Sequence, residues 1–189
     1  MIIRDEEFIR GNCPMTKEEI RTISISKLNI ESGHRLLDIG AGTGSISIQM
    51  SKISETGEVI AIEKDEEALA IIKKNKEKFN ADNLKILNGE ALSVLDEVEG
   101  KFDGIFIGGS SGNIEDIIKI YGQKLKSQKY MVLNFITIDN VYKAIHVLED
   151  LKYETELVQI SISKSKGKSH MLLALNPIFI ITARRVKNE

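Results

Sequence analysis

HRLLDIGAGTG, residues 34–44, decides the fold. A strand over His34–Ile39 runs into a turn with glycines at 40, 42 and 44, and a helical pattern opens at Ser45. Strand, glycine turn and helix make the first half of a βαβ unit. Outward from it, the apolar runs EVIAIE, LKILN, FDGIFIGG and YMVLNFI alternate with segments of helical period. That rhythm predicts an α/β fold, a doubly wound, mostly parallel sheet with helices on both faces.

The helices carry their own end signals. Thr16 and Glu19 form a T-x-x-E capping box that opens a helix through about Leu28. Asp65 caps the next, with Glu66 and Glu67 early and Lys73, Lys74, Lys76 and Lys78 late, as the helix dipole prefers. After Asn113, the residues Ile114, Ile117, Ile118 and Tyr121 form one buried stripe, and Val141, Ala144, Ile145 and Leu148 form another. A further helix is expected over Ala91–Glu97. After Leu151 the rhythm breaks: Tyr153–Ser163 and Pro177–Arg184 read as strands with no helix between them. Two strands joined that way pair antiparallel. The expectation is a seven-stranded sheet ending in an antiparallel hairpin. It forms one domain over 1–189, with residues 1–30 as an N-terminal cap segment and 153–189 as the terminal hairpin.

Composition narrows the function. The chain of 189 residues is long enough to bury a core without staples. Its single cysteine, Cys13, excludes an internal disulfide framework and a cysteine-rich zinc site, and no metal is expected. Aromatics at 5% and the lack of tryptophan argue against a base-stacking platform. The net charge of −2 gives no push toward nucleic acid. The charged start MIIRDEEFIR is not a secretory signal, and no apolar run approaches a membrane span, so a cytoplasmic protein is expected. The charge is uneven, however. Lys164, Lys166, Lys168, Arg184, Arg185 and Lys187 face one acid, Glu189, in the last 26 residues, leaving 20 bases and 27 acids in the other 163.

The turn Asp38–Gly44 predicts a cofactor. Its glycines let a ligand approach the backbone, and Glu63, at the end of the second strand, is placed to accept from ribose hydroxyls. The dinucleotide fingerprint G-x-G-x-x-G/A is not met, because Ser45 stands where its last residue belongs. A carboxylate at Asp38 repels a pyrophosphate, whereas it suits the ammonium and sulfonium of S-adenosylmethionine. A Walker A loop is excluded by the lack of G-K-[S/T]. After the third strand, Glu90 and Ala91 of the GEA turn sit where such folds hold an adenine edge, though an acidic helix cap explains them equally. Gly108, Gly109 and Ser110 end the fourth strand at the ligand-binding edge of the sheet, as an open floor for a large flat substrate or simply as a turn.

Along nearly its full length the chain resembles the small decarboxylating cobalt-precorrin-6B C15-methyltransferases of anaerobic cobalamin biosynthesis, within the class I methyltransferase superfamily. DEEFIRGNCPMTKEEIR, DIGAGTGSISIQM, the GEA turn, FIGGSSG and NPIFIITAR carry the resemblance. It implies methyl transfer from S-adenosylmethionine to C15 of cobalt-precorrin-6B with loss of the C12 acetate carboxyl as CO2, giving cobalt-precorrin-7. It also implies a homotetramer. Carried onto matching positions, the cofactor meets Thr16, Gly40, Ala41, Gly42, Thr43, Gly44, Glu63 and Ala91. No catalytic acid or base carries over, and none of His34, His146 and His170 is assigned one. Because the corrin acceptor is anionic, Lys164, Lys166, Lys168 and Arg184 are candidates to hold its carboxylates. The rival readings are a class I methyltransferase acting on RNA, protein or a small molecule, and a non-catalytic cofactor-binding module.

Overall fold

Alternation along β1 (Arg35–Ile39) sends Leu36 to one face of the central sheet and Leu37 to the other, both fully buried. A computed structural model describes residues 2–109, 112–168 and 170–186, with Lys166 described by its backbone alone. The same alternation recurs in β2 (Glu58–Glu63), β4 (Phe102–Ile107) and β5 (Leu125–Phe135). Leu36, Val59, Phe106 and Val132 join one core, and Leu37, Ile60, Ile105 and Met131 join the other. The first is covered by α1 (Glu18–Leu28), α2 (Ser45–Ile53) and α3 (Glu66–Lys78), the second by α4 (Ile114–Gly122) and α5 (Ile138–Asp150). Each such side chain contributes roughly 1.5–3 kcal/mol on burial, so the strands are held from both sides.

With β3 (Leu84–Asn88), β6 (Tyr153–Ile160) and β9 (Ile178–Arg185), the sheet has seven strands in the order β3-β2-β1-β4-β5-β9-β6. The first five are parallel, and β9 runs antiparallel between β5 and β6. This is the expected fold class, with the antiparallel pair β6–β9 in place. The basic turn and apolar run between those strands form a separate ribbon of β7 (Ser163–Lys166) and β8 (Met171–Ala174). Its turn takes left-handed backbone at Gly167 (φ +70°) and His170 (φ +52°). No helix among the described residues is long and apolar enough to cross a membrane.

Two local expectations need correction. The Thr16–Glu19 capping box does not form. Lys17 is the N-cap residue, in extended backbone and without a side-chain cap bond, and Glu19 instead pairs with Lys164 at 2.7 Å. The cause is Arg21, whose Nη1 donates to the Thr16 carbonyl at 2.8 Å and holds that residue outside the helix. The helix expected over Ala91–Glu97 shrinks to a single 3-10 turn at Leu95–Glu97. Ser93 donates from both its amide and its hydroxyl to the Glu90 carbonyl, a local alternative to helical bonding. The Asp65 cap is present, accepting from the Ala68 amide at 2.9 Å.

Candidate active site

The strand order reverses between β1 and β4, so the loops leaving them diverge to opposite faces and open a crevice at the carboxyl edge. Gly40 and Ala41 donate to the Ile62 carbonyl at 3.0 and 3.1 Å, folding the β1 loop over the end of β2. Gly40 (φ +74°), Gly42 (φ +56°) and Gly44 (φ +79°) all need the left-handed region. A Cβ on Gly40 would also stand 2.9 Å from the Gly109 carbonyl oxygen, so the β1 and β4 loops approach at glycine-only distance.

The crevice holds a cavity of about 360 Å³, a size that suits a small cofactor. Of the residues assigned to the cofactor from sequence, Thr16, Gly40, Ala41, Gly42, Glu63, Glu90 and Ala91 line it. Asp38, Thr43 and Gly44 lie behind the loop, all buried. Asp38 is wholly buried; it accepts from the Ser47 hydroxyl through Oδ2, while Oδ1 has no hydrogen-bond partner among the described residues. Burial pushes its carboxyl up to about 7, against the opposing bond from Ser47. Thr43 contributes its carbonyl to Asn75 at 3.0 Å, and its buried hydroxyl is unpaired among the described residues. Glu90 turns its carboxylate back onto the Leu92 amide at 2.9 Å.

Glu63 is the hub of the cavity. Its Oε2 accepts from the Gly42 amide at 2.6 Å and its Oε1 from the amides of Lys64 and Asp65 at 2.8 and 3.0 Å. The middle glycine amide, which a phosphate needs, is thus already taken by a carboxylate. The cradle fits a nucleoside without phosphates: carboxylates for hydroxyls and positive charge, open glycine backbone, and the Ala91 edge. Tyr121 donates to the Ala91 carbonyl at 2.5 Å and fixes that edge from beneath; burial, aided by Glu90, pushes its phenol up to about 12.

The N-terminal segment roofs the cavity with Pro14 and Thr16. Arg21 anchors it, fully buried, through the Ile3 carbonyl at 2.6 Å, the Thr16 carbonyl and the Asp5 carboxylate at 3.3 Å, with the Phe8 ring 4.8 Å from its guanidinium carbon. A charge this deep is tolerated only with such satisfaction. The Asn12 backbone N–H also donates a hydrogen bond to Glu67 Oε1 at 3.0 Å.

A second cavity of about 440 Å³ adjoins the first, and both are lined by Pro14, Thr16, Gly108 and Gly109. Met15, Ile20, Phe135, Ile136 and Ile178 make it largely apolar, with Thr16, Lys17, Asn134, Thr137 and Asn140 as its polar side chains. Asn134 is oriented by Ser24 of α1, donating to its hydroxyl at 2.9 Å. Sequence reasoning missed this wall, although its signal was present, since NFIT ends β5 at the same ligand-binding edge.

The acceptor-holding residues named from sequence divide. Gly108 and Gly109 line both cavities. Ser110 and the Lys166 side chain lie outside the described residues. Lys164 is tied to Glu19, and Lys168 is exposed in the ribbon turn. Arg184 is at the wrong end: it pairs with Tyr130 in register, whereas Phe179 faces Phe135 at the crevice. Five residues of strand, roughly 17 Å, separate them. It is also bound by Glu154. None of the three histidines lines either cavity.

The family described as "Precorrin methyltransferase domain" matches residues 7–185. The chain is 40% identical over 183 residues to the probable cobalt-precorrin-6B C(15)-methyltransferase (decarboxylating) of Sulfolobus acidocaldarius, covering 95% of each. It is 41% identical over 187 residues to the protein of the same description from Methanocaldococcus jannaschii, covering 97% of this chain and 98% of that one. Among solved structures, precorrin-6y C5,15-methyltransferase from Geobacter metallireducens superposes with a TM-score of 0.93 at 37% identity, over 98% of this chain and 96% of that one.

Proposed function

The chain belongs to the precorrin methyltransferase family, and from that premise we propose that it methylates C15 of cobalt-precorrin-6B from S-adenosylmethionine and releases the C12 acetate carboxyl as CO2. The observation that carries this reading is the pair of cavities meeting at Thr16 and Gly108–Gly109, one an acidic glycine cradle and the other largely apolar. When bound, S-adenosylmethionine supplies a methyl group already activated by its sulfonium. Glu63 holds the ribose hydroxyls, the Ala91 amide and Glu90 meet the adenine, and the glycine turn seats the amino-acid end. Thr16 and the Gly108–Gly109 backbone form the boundary at which acceptor and donor face each other. Holding the two in line supplies much of the rate, so no side-chain nucleophile is needed.

Decarboxylation asks for different surroundings. The departing carboxylate leaves its electron pair on the macrocycle, and a proton then takes its place. Apolar walls such as Phe135, Ile136 and Ile178 strip water from the carboxylate and so favour its loss. The exposed ribbon side chains Met171, Leu172 and Leu173 support assembly into a homotetramer, where they are covered.

The direct test is incubation of purified protein with S-adenosylmethionine and cobalt-precorrin-6B, followed by mass spectrometry. The expected product has gained one methyl and lost one carboxyl. Recovery of unchanged acceptor from protein that binds the cofactor would sink the reading. Glu63→Ala is expected to weaken cofactor binding by about tenfold or more, which calorimetry measures.

A further inference from the structure

We propose that Lys17 binds a carboxylate of the acceptor, an anionic tetrapyrrole, and thereby sets the register of the macrocycle against the cofactor cavity. The inference rests on the methyltransferase reading for the class of acceptor, though not on the chemistry performed upon it.

Position is the first argument. Lys17 lines the second cavity and directly follows Thr16, which lines both. It is the only formally charged side chain among the residues lining that cavity. A ligand bearing several acetate and propionate groups entering there meets one cation, surrounded by Met15, Ile20 and Phe135. Low-polarity surroundings strengthen such a pair relative to open water.

Availability is the second. The acids beside Lys17 in sequence are both engaged elsewhere. Glu18 accepts from the Asp5 amide at 3.3 Å, and Glu19 pairs with Lys164 at 2.7 Å. Lys17 itself has no ion-pair partner among the described residues, so its charge is uncompensated where the cavity opens. The rival cations lack one property or the other. Lys164 is neutralised by Glu19, Arg184 sits at the far edge of the sheet with Glu154, and Lys168 is in the ribbon turn.

Third, the Lys17 side chain has no structural task among the described residues. It occupies the N-cap position of α1 but makes no capping bond. Lysine is also well suited to this work. Its flexible stem runs along apolar surface while the ammonium, a compact point charge, follows a mobile propionate or acetate.

The test separates binding from turnover. Protein saturated with S-adenosylhomocysteine is titrated with cobalt-precorrin-6B, followed by absorbance, for wild type, Lys17→Gln and Lys17→Arg at low and high salt. The expected result is a loss of affinity of about tenfold in Lys17→Gln with a flatter salt dependence, and recovery in Lys17→Arg. S-adenosylhomocysteine affinity and thermal midpoint stay at wild-type values. Wild-type affinity and salt slope in Lys17→Gln would overturn the proposal while leaving the methyltransferase reading intact. Wild-type acceptor binding, with no methylated product when S-adenosylmethionine replaces S-adenosylhomocysteine, overturns that reading and leaves Lys17 standing. No binding by wild type overturns both.

Discussion

Asn75 and Ile9 exchange two hydrogen bonds, Ile9 N–H to Asn75 Oδ1 at 2.8 Å and Asn75 Nδ2 to the Ile9 carbonyl at 3.0 Å. A fully buried side chain on α3 thus pairs with the N-terminal segment much as a neighbouring strand does. The same Nδ2 reaches the Thr43 carbonyl at 3.0 Å, so one amide ties the roof of the cofactor cavity to its glycine turn. Asn75→Leu is expected to cost about 2–4 kcal/mol, because buried partners are left unsatisfied. Limited proteolysis then cuts ahead of Lys17 sooner than in wild type, and cofactor affinity falls. Unchanged cleavage and affinity count against the coupling.

Asp38 predicts a pH dependence of stability. An unfolded aspartate titrates at about 3.9. In the fold, burial raises the carboxyl to about 7, so the native state binds the proton more tightly than the unfolded chain. The contribution is fully present below about pH 4 and is lost as the pH rises through about 7. Asp38→Asn cannot ionise, so its urea midpoint is expected to vary less than that of wild type between about pH 5 and about pH 8. Parallel pH profiles would refute this assignment.

Arg184→Gln is expected to leave acceptor affinity and turnover unaltered, since Arg184 stands five residues along β9 from the crevice-end pair Phe135–Phe179 and is bound by Glu154. Steady-state kinetics decide the matter. A raised Michaelis constant for the acceptor would return the arginine to the binding machinery.

Leu172 is 69% exposed on β8, between Met171 and Leu173, which are also exposed. Leu172→Asp is expected to dissociate the proposed homotetramer without unfolding the sheet, because β7 and β8 form a ribbon of their own. Light scattering at micromolar concentration measures it. A wild-type monomer contradicts the assembly itself.

Much of the fold was legible because it depends on short-range pattern. The apolar runs EVIAIE and FDGIFI, the stripe at Ile114, Ile117, Ile118 and Tyr121, and the glycines of the β1 turn each speak for themselves. Glu63 was legible from its place at a strand end. What failed depended on partners distant in sequence. The Thr16–Glu19 cap is overridden by Arg21 at one residue and Lys164 at the other. Asp38 has the right chemistry for a cation, but α2 packs it behind the loop, where Ser47 reaches it. Arg184 falls outside both cavities, and a count of charges carries no information about which end of an antiparallel strand reaches the crevice. Lys17 was hidden inside an apparent capping motif, where its neighbours drew the reading.

The contact between Gly40 and Gly109 is lopsided, and that makes it a handle for redesign. A side chain at 40 strikes the opposite loop and needs a left-handed backbone as well, whereas one at 109 meets no atom within 4 Å. Variation is therefore blocked on the β1 side of the doorway and open on the β4 side. A library at position 109, which borders both cavities, can reshape the doorway between them while the glycine turn keeps its backbone.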